Sequence, residues 1–298
     1  MKTTKVRNQI IMATKEDYVT GFVVSRDGTS IGYRQFGRGP GLVLVQGTMG
    51  TAHHFTQLAQ MLADAFTVYV PDRRGRGISG PGGKDYNIGK EVDDLEAVLT
   101  ETGSHYIFGL SSGAMISLQA ALTLPTIHRL AIFEPPLFTR SSLPAALIAR
   151  YEKEMSQGKV AAALVTGMKA GKFGPSIFNA VPRGLLEMLV NQVMKKEEQQ
   201  GFNGYPSMRE LAPTLHYDFQ LVNEMCGKVE SFEAIRAEVL LLGGRKSPSY
   251  LRVALDHLEK VLPHAKRIEF PKLDHAAPWN TDRGGQPEPV AQELRLFC

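Results

Sequence analysis

A short glycine-flanked segment, Gly109-Leu110-Ser111-Ser112-Gly113, contains the serine of this sequence with the clearest chemical potential. It matches the pattern G-x-S-x-G and lies between an apolar run, 105–110, and a stretch with a helical pattern, 112–124. A serine on a tight turn from strand to helix is held in a strained conformation, with its hydroxyl exposed above the sheet. The three-letter pattern alone also matches many ordinary turns. In this context it predicts that Ser111 is a nucleophile.

A nucleophilic serine needs a general base, because its hydroxyl is a weak nucleophile at its ordinary pKa. We expect that base on a loop after a late strand. His275 follows the apolar segment that ends at Phe270 and meets this requirement. Of the other seven histidines, six lie in predicted strands, helices or the inserted block described below, and His264 precedes the last strand. His275 is therefore the predicted base.

An acid must orient this base, and it most often lies on the loop after the strand that ends here at Leu242. The loop that follows, 243–248, contains no carboxylate. The preceding strand is followed directly by Glu134, which keeps the chain order serine, acid, histidine. Asp274 is too close in sequence to His275 to orient its ring readily. Glu134 is the predicted acid, although a carboxylate there could instead cap the strand or form a salt bridge.

Acyl transfer also needs hydrogen-bond donors that face the developing oxyanion. The backbone N–H groups of Ser112, directly after the nucleophile, and of Thr48, in the loop 46–50 after a buried strand, are the predicted donors. Asp218, in the inserted block, could reach the site too. Four further residues are predicted to contact the substrate: Met49, His216, Tyr217 and Trp279.

A second glycine pattern, 75–80, matches G-x-G-x-x-G and follows a strand. A dinucleotide site would need a helix to begin there, with its N-terminus facing the pyrophosphate. Pro81-Gly82-Gly83 prevents that helix, so we interpret the loop as a structural turn pinned by Asp72 and its arginines. The sequence has no spacing typical of metal ligands. We therefore expect neither a cofactor nor a metal.

The arrangement of apolar segments predicts the elements that position these residues. Short apolar strands alternate with helical patterns through most of the chain, which is typical of a mostly parallel sheet covered on both faces. Between 140 and 228 the alternation stops and helical patterns separated by Gly and Pro take over. A block inserted there would lie at the carboxyl edge of the sheet, where such folds bind ligands. We predict a flexible lead-in at 1–20, a core formed by 21–139 and 229–298, and a helical lid at 140–228.

The composition is that of an ordinary globular protein, with 298 residues, 43% hydrophobic, 21% charged and a net charge of +4. Basic residues form no stripe interleaved with aromatics, so nucleic-acid binding is not expected. No apolar run approaches the roughly 20 residues of a membrane span, and the first residues contain no secretory signal. With two cysteines, a reducing compartment is the simpler interpretation. We expect a cytoplasmic monomer or homodimer that binds no membrane.

Taken together, four segments resemble the α/β-hydrolase superfamily: Gln46-Gly47-Thr48, 72–79, the Ser111 turn and Asp274-His275. The resemblance covers about residues 21–298 and implies an α/β fold with a mostly parallel eight-stranded sheet, flanking helices and an inserted lid. Gln46 departs from the histidine usual in the first motif. The absence of an acid after the strand that ends at Leu242 is a second departure. A subset of the superfamily, which includes some lactone hydrolases, carries the acid one strand earlier, and the segment 133–136 resembles the corresponding segment of that subset. Serine instead of aspartate at 111 argues against epoxide hydrolases and haloalkane dehalogenases.

These residues predict a serine hydrolase that cleaves a carboxylic ester or lactone of a small, largely apolar molecule through an acyl-enzyme. Two other classes stay open, because the fold and the site residues are shared while the pocket decides the reaction. One is a non-hydrolytic enzyme, such as a lyase or a cofactor-free peroxidase. The other is a small-molecule receptor with vestigial hydrolase activity.

Overall fold

A computed structural model of the chain describes residues 18–138, 143–171, 181–200 and 205–298. Most of the predicted flexible lead-in, 1–17, lies outside the described residues, as do three short parts of the predicted lid.

One eight-stranded sheet forms the centre of the molecule. Its strands in chain order are β1 (Val19–Val24), β2 (Ser30–Gly37), β3 (Gly41–Val45), β4 (Thr67–Pro71), β5 (Tyr106–Leu110), β6 (Arg129–Phe133), β7 (Glu238–Gly244) and β8 (Ala265–Phe270). Their order across the sheet is β1-β2-β4-β3-β5-β6-β7-β8. Only the pairings of β2, with β1 and with β4, are antiparallel, and the other five are parallel. The predicted α/β class and mostly parallel eight-stranded sheet are confirmed.

Helices connect these strands. They are α1 (Thr56–Leu62), α2 (Ile88–Thr102), α3 (Ser112–Thr123), α4 (Ala145–Ser156), α5 (Val160–Ala170), α6 (Arg183–Gln200), α7 (Met208–Leu211), α8 (Leu215–Glu224), α9 (Ser249–Val261) and α10 (Pro287–Phe297). Short 3-10 helices lie at Ala52–Phe55, Ala212–Thr214, Val229–Ala234 and Thr281–Arg283. None of the helices in the described ranges is long and apolar enough to span a membrane.

The core lies on both faces of the sheet, because side chains of a strand point alternately to opposite faces. In β3, Val43 and Val45 join the apolar cluster that includes α2 and α3. Leu42 and Leu44 join the cluster on the other face, with residues of α1 and α10. Strands buried on both faces explain the near-continuous apolar runs of the sequence.

The segment between β6 and β7 contains α4 to α8 and no strand in its described part. Its helices share a core with the sheet, since Tyr151 of α4 and Phe219 of α8 belong to the same apolar cluster as Val43 and Leu130. The inserted helices therefore pack directly on the rest of the molecule.

Candidate active site

Ser111 lies on the turn between β5 and α3 with φ 56° and ψ −120°. Its backbone N–H donates to the carbonyl oxygen of Phe133 on the neighbouring strand, at 2.9 Å. The glycines on either side are required by close packing. A Cβ on Gly113 would lie closer than 3.0 Å to the carbonyl of Val45, and one on Gly109 would collide with the backbone of α3.

Backbone strain is concentrated at one edge of the sheet. Among the described residues, the non-glycine residues with positive φ are Met49, Ser111 and Glu134. They follow the carboxyl ends of β3, β5 and β6, which are neighbours in the sheet. Such conformations cost free energy and persist where the surrounding structure holds them, often at functional sites.

Glu134 and His275 are hydrogen-bonded at this edge. Glu134 is fully buried, and its Oε2 lies 2.8 Å from Nδ1 of His275. Its other carboxylate oxygen, Oε1, accepts a hydrogen bond from the Gly244 N–H at 2.7 Å. With a carboxylate as partner, Nδ1 is assigned the proton and Nε2 is left as the basic nitrogen.

The last two residues of β7, Gly243 and Gly244, accommodate the Glu134 carboxylate. A Cβ on Gly243 would lie 3.2 Å from Oε1 of Glu134, and Gly244 supplies the N–H that binds that oxygen. A side chain at Gly243 would therefore crowd the carboxylate that binds His275.

Ser111, Glu134 and His275 follow β5, β6 and β8, whose carboxyl ends share one edge of the sheet. Among the hydrogen bonds of the described residues, none joins the Ser111 hydroxyl to His275. Bonds of this kind are often long or poorly aligned until substrate binds. The arrangement offers a hydroxyl, a base and an orienting carboxylate, which are the groups that nucleophilic acyl transfer needs.

The loop after β3 packs directly on Ser111. A Cβ on Gly47 would lie 2.9 Å from the Cβ of Ser111, and Thr48 Oγ1 lies 3.5 Å from Ser112 Oγ. Gln46 donates from Nε2 to the carbonyl of Pro71 at 2.7 Å. The amide of Gln46 thus ties this loop to the end of β4, and the loop brings the Thr48 backbone beside the serine.

A buried group of charges, which we call the arginine network, lies behind this loop. Asp218 of α8 accepts from Nη2 of Arg76 at 2.6 Å and from Nη1 of Arg73 at 3.0 Å. Burial opposes ionisation of Asp218, but the charges of Arg76 and Arg73 outweigh it and hold its pKa below the ordinary value. Arg73 also donates to Ser112 Oγ at 3.0 Å, and Arg76 donates to the carbonyl of Gly47 at 2.8 Å.

Sequence reasoning considered Asp218 and the three arginines separately and missed their pairing. The available signal was the density of arginines directly after a buried strand. A loop lining the core can hold such charges only if carboxylates reach them, and here one of those carboxylates comes from the inserted helices.

The residues predicted to contact substrate lie in two places. Met49 packs against apolar side chains of the inserted helices, including Leu164 and Met194, and the Trp279 ring packs against Gly50. His216 hydrogen-bonds to Glu152 at 2.6 Å with half of its side chain exposed. The Tyr217 ring packs at a tilt against that of Tyr86, with 4.4 Å between ring centroids. The structure thus brings Met49 and Trp279 to the loop beside Ser111, whereas His216 contacts Glu152 and Tyr217 packs against Tyr86 and Gly82.

The second glycine pattern forms turns, with no helix between Gly75 and Gly83. Asp72 holds this loop by accepting from the Ile78 N–H at 3.0 Å and from the Ala52 N–H at 2.6 Å. Within the described ranges, no group of three or more His, Cys, Asp or Glu side chains could hold a metal ion.

Comparison with known proteins gives matches along most of the chain. A model of the alpha/beta hydrolase family matches residues 42–293. An alpha/beta hydrolase of known structure from Sphaerobacter thermophilus is 31% identical with a TM-score of 0.76, over 93% of this chain and 99% of that one.

Two relatives with named activities match shorter segments. N-formylmaleamate deformylase from Pseudomonas putida is 34% identical over 125 residues, which is 40% of this chain and 47% of the relative. A cis-3-alkyl-4-alkyloxetan-2-one decarboxylase from Shewanella oneidensis is 31% identical over 134 residues, 42% of each chain. The chain therefore spans less than half the length of the curated relatives that it matches.

Proposed function

This chain belongs to the alpha/beta hydrolase family, and from that premise we propose that it is a serine hydrolase. Its substrate is a carboxylic ester or lactone of a small, largely apolar molecule. The observation that carries the proposal is the Glu134–His275 hydrogen bond of 2.8 Å at the edge of the sheet where the strained Ser111 lies.

In the first half of the reaction, Nε2 of His275 takes the proton of the Ser111 hydroxyl while Oγ attacks the acyl carbon. The carbonyl oxygen becomes an oxyanion, which the N–H groups of Thr48 and Ser112 bind. The C–O bond to the leaving alcohol then breaks. The departing oxygen takes the proton from His275, and the acyl group stays on Ser111.

In the second half, water attacks the acyl carbon and gives its proton to His275. The bond to Ser111 Oγ breaks, the serine recovers that proton, and the carboxylic acid leaves. Glu134 stays ionised throughout and stabilises the imidazolium that forms in each half. In a lactone the leaving hydroxyl remains on the same molecule, so the product is a hydroxy acid.

An apolar substrate is supported by the surroundings of Met49. This residue adjoins Thr48, the proposed oxyanion donor, and packs on a cluster that contains Met155, Met194 and Met208 of the inserted helices. Methionine side chains are flexible and polarisable and adapt to ligands of different shape. We propose that the inserted helices form a lid over this apolar site.

A lyase reaction is the second candidate, because one relative is named a decarboxylase. A substrate screen separates the two candidates. The screen would measure the turnover of p-nitrophenyl esters of increasing chain length and of a set of lactones by the purified protein. Carbon dioxide release would be measured in parallel.

The hydrolase proposal predicts that Ser111→Ala abolishes turnover of the esters. Ser117→Ala is the matched control: Ser117 is buried like Ser111, but it lies within α3 and its hydroxyl donates to the carbonyl of Gly113. Turnover that survives in Ser111→Ala, or carbon dioxide release, would contradict the hydrolase and favour the lyase. Saturable binding without turnover would instead indicate a receptor.

A further inference from the structure

We infer that Arg76 and Asp218 are positioning residues for the oxyanion hole. Asp218, on the inserted helix α8, holds Arg76 against the carbonyl of Gly47, and Arg76 thereby fixes the direction of the Thr48 N–H. The inference rests on the proposed function, since it assigns the oxyanion to that N–H.

The first step is the geometry of one peptide group. The Gly47 carbonyl and the Thr48 N–H belong to the same planar trans peptide, so they point in opposite directions and turn together. Nη1 of Arg76 donates to that carbonyl oxygen at 2.8 Å and lies 3.4 Å from the carbonyl oxygen of Gly50. A guanidinium held on the carbonyl side therefore sets where the N–H points on the other side. Its charge also polarises the peptide and strengthens the N–H as a donor.

The second step is what holds Arg76. Its Nη2 donates to Oδ2 of Asp218 at 2.6 Å, and both residues are at most 3% exposed. A buried ion pair with defined hydrogen bonds resists rearrangement, because in a low-dielectric interior any broken bond is costly. Asp218 thus fixes the guanidinium, and the guanidinium fixes the peptide.

The same carboxylate is also linked, through Arg73, to the side chain of Ser112, the second residue proposed to supply a backbone donor. Oδ1 of Asp218 accepts from Nη1 of Arg73, which donates in turn to Ser112 Oγ at 3.0 Å. Ser112 Oγ and Thr48 Oγ1 lie 3.5 Å apart. One aspartate of the inserted helices is thereby connected to both residues whose backbone N–H groups face the oxyanion.

Arg73 has no donor left for a substrate. Its five N–H groups are used by Glu91, Tyr86, Asp218 and Ser112. This saturation assigns Arg73 to the organisation of the protein and not to the binding of an anionic substrate.

The neighbouring Arg74 provides a matched control. It is equally buried and pairs with Asp94 and Asp27. No hydrogen bond of the described residues joins it to the loop 46–50. A change at Arg74 therefore removes a buried ion pair without touching the Gly47–Thr48 peptide.

The test compares Arg76→Lys, Asp218→Asn and Arg74→Lys in the full chain. It measures kcat and KM for a p-nitrophenyl ester and the inhibition constant of phenylboronic acid, which forms a tetrahedral adduct with a nucleophilic serine. A misdirected oxyanion donor costs about 10- to 100-fold in kcat. We expect that loss in Arg76→Lys and Asp218→Asn, with KM near the wild-type value and phenylboronic acid binding weakened in parallel. Arg74→Lys should lower the melting temperature and leave kcat within about twofold.

Two results would overturn the inference while leaving the proposed function intact. One is an Arg76→Lys protein with wild-type kcat, and the other is an equal loss of kcat in Arg74→Lys. If Arg76→Lys does not fold, the near-isosteric Asp218→Asn supplies the same comparison. A wild-type protein without Ser111-dependent ester turnover would instead overturn the proposed function, and the inference with it.

Discussion

The carboxylate of Glu134 uses each oxygen for a different purpose. Oε1 is held by the Gly244 N–H, and Oε2 is left to bind Nδ1 of His275. Because Glu134 is fully buried, no water competes for these bonds, and the carboxylate cannot rotate without losing one of them. This fixes the imidazole ring with Nε2 free to accept a proton.

At this residue scale we predict that Glu134→Gln lowers kcat about 10³- to 10⁴-fold while the fold is retained. The amide can still accept from Gly244, but its NH₂ group would favour the wrong tautomer of His275. Kinetics with a p-nitrophenyl ester, together with circular dichroism, would measure both effects.

Asp274→Asn is the control for that substitution. Asp274 adjoins His275 in sequence, but its carboxylate accepts from the Ala276 N–H at the surface. It should keep kcat within a few-fold of wild type. Comparable losses in the two variants, or near-normal activity in Glu134→Gln, would refute the role of Glu134.

At the scale of elements, the 3-10 helix Ala52–Phe55 follows the loop 46–50, and its N-terminus depends on a neutral histidine. Nδ1 of His54 accepts from the Thr51 N–H at 2.9 Å, which closes a capping box. Burial lowers the pKa of His54 to about 2, with the charges of Arg283 and His53 adding to the effect.

This pKa predicts an acid-sensitive stability. Between pH 6.5 and about 2 the unfolded chain binds a proton at His54 and the folded chain does not, so the free energy of unfolding falls as the pH falls. The contribution of His54 is about 2 kcal/mol between pH 7.5 and 5. Urea titrations at pH 7.5 and pH 5 would measure it.

His54→Gln keeps a side-chain acceptor at the capping position but cannot titrate. The loss of stability from pH 7.5 to pH 5 should therefore be smaller in this variant by about 2 kcal/mol. Equal losses in the variant and the wild type would show that His54 is protonated in the folded protein.

A second prediction at this scale concerns the contact between α3 and β3. Gly113→Ala places a methyl group against the carbonyls of Val45 and Gln46, so we expect a loss of about 1–3 kcal/mol of stability. Gly184→Ala on α6, where a Cβ meets open space, should instead be neutral or stabilising by at most about 1 kcal/mol. Urea denaturation of both variants would test the contrast. Equal effects would mean that close packing is not why position 113 is glycine.

At the scale of the whole molecule, the sequence predicted the elements better than the contacts between them. Ser111, Glu134 and His275 could be proposed because each follows an apolar strand, and the carboxyl ends of parallel strands share an edge. The start of β8 at Ala265 could not be predicted, because this strand lies at the edge of the sheet and begins without an apolar run.

The arginine network could not be predicted in the same way. Asp218 lies 145 residues from Arg73 and 142 from Arg76. No local pattern indicates which carboxylate a buried arginine will meet, because that depends on how the inserted helices pack on the sheet. The same limit applies to the assignment of a lid, which stays a prediction.

That packing leads to the last prediction, that the inserted helices and the sheet unfold as one unit. Both belong to one continuous apolar cluster, and Asp218 adds buried ion pairs between them. Trp279, the single tryptophan of the chain, packs beside the 3-10 helix Ala52–Phe55, with 5.1 Å between its ring centroid and that of Phe55. Its fluorescence therefore reports on unfolding of the core outside the insertion. Far-ultraviolet circular dichroism reports on the loss of all helices, including those of the insertion. In urea the two signals should give one midpoint.

Asp218→Ala should lower that midpoint by an amount equivalent to about 3–5 kcal/mol, because it leaves Arg73 and Arg76 buried without their shared carboxylate. Arg267→Ala is the control, since it removes ion pairs with Asp256 and Glu259, whose carboxylates are about half exposed, and should cost about 1 kcal/mol or less. Separate midpoints for the two signals in the wild-type protein would show that the insertion is an independent folding unit. The buried ion pairs of Asp218 would then not couple the unfolding of α8 to that of the sheet.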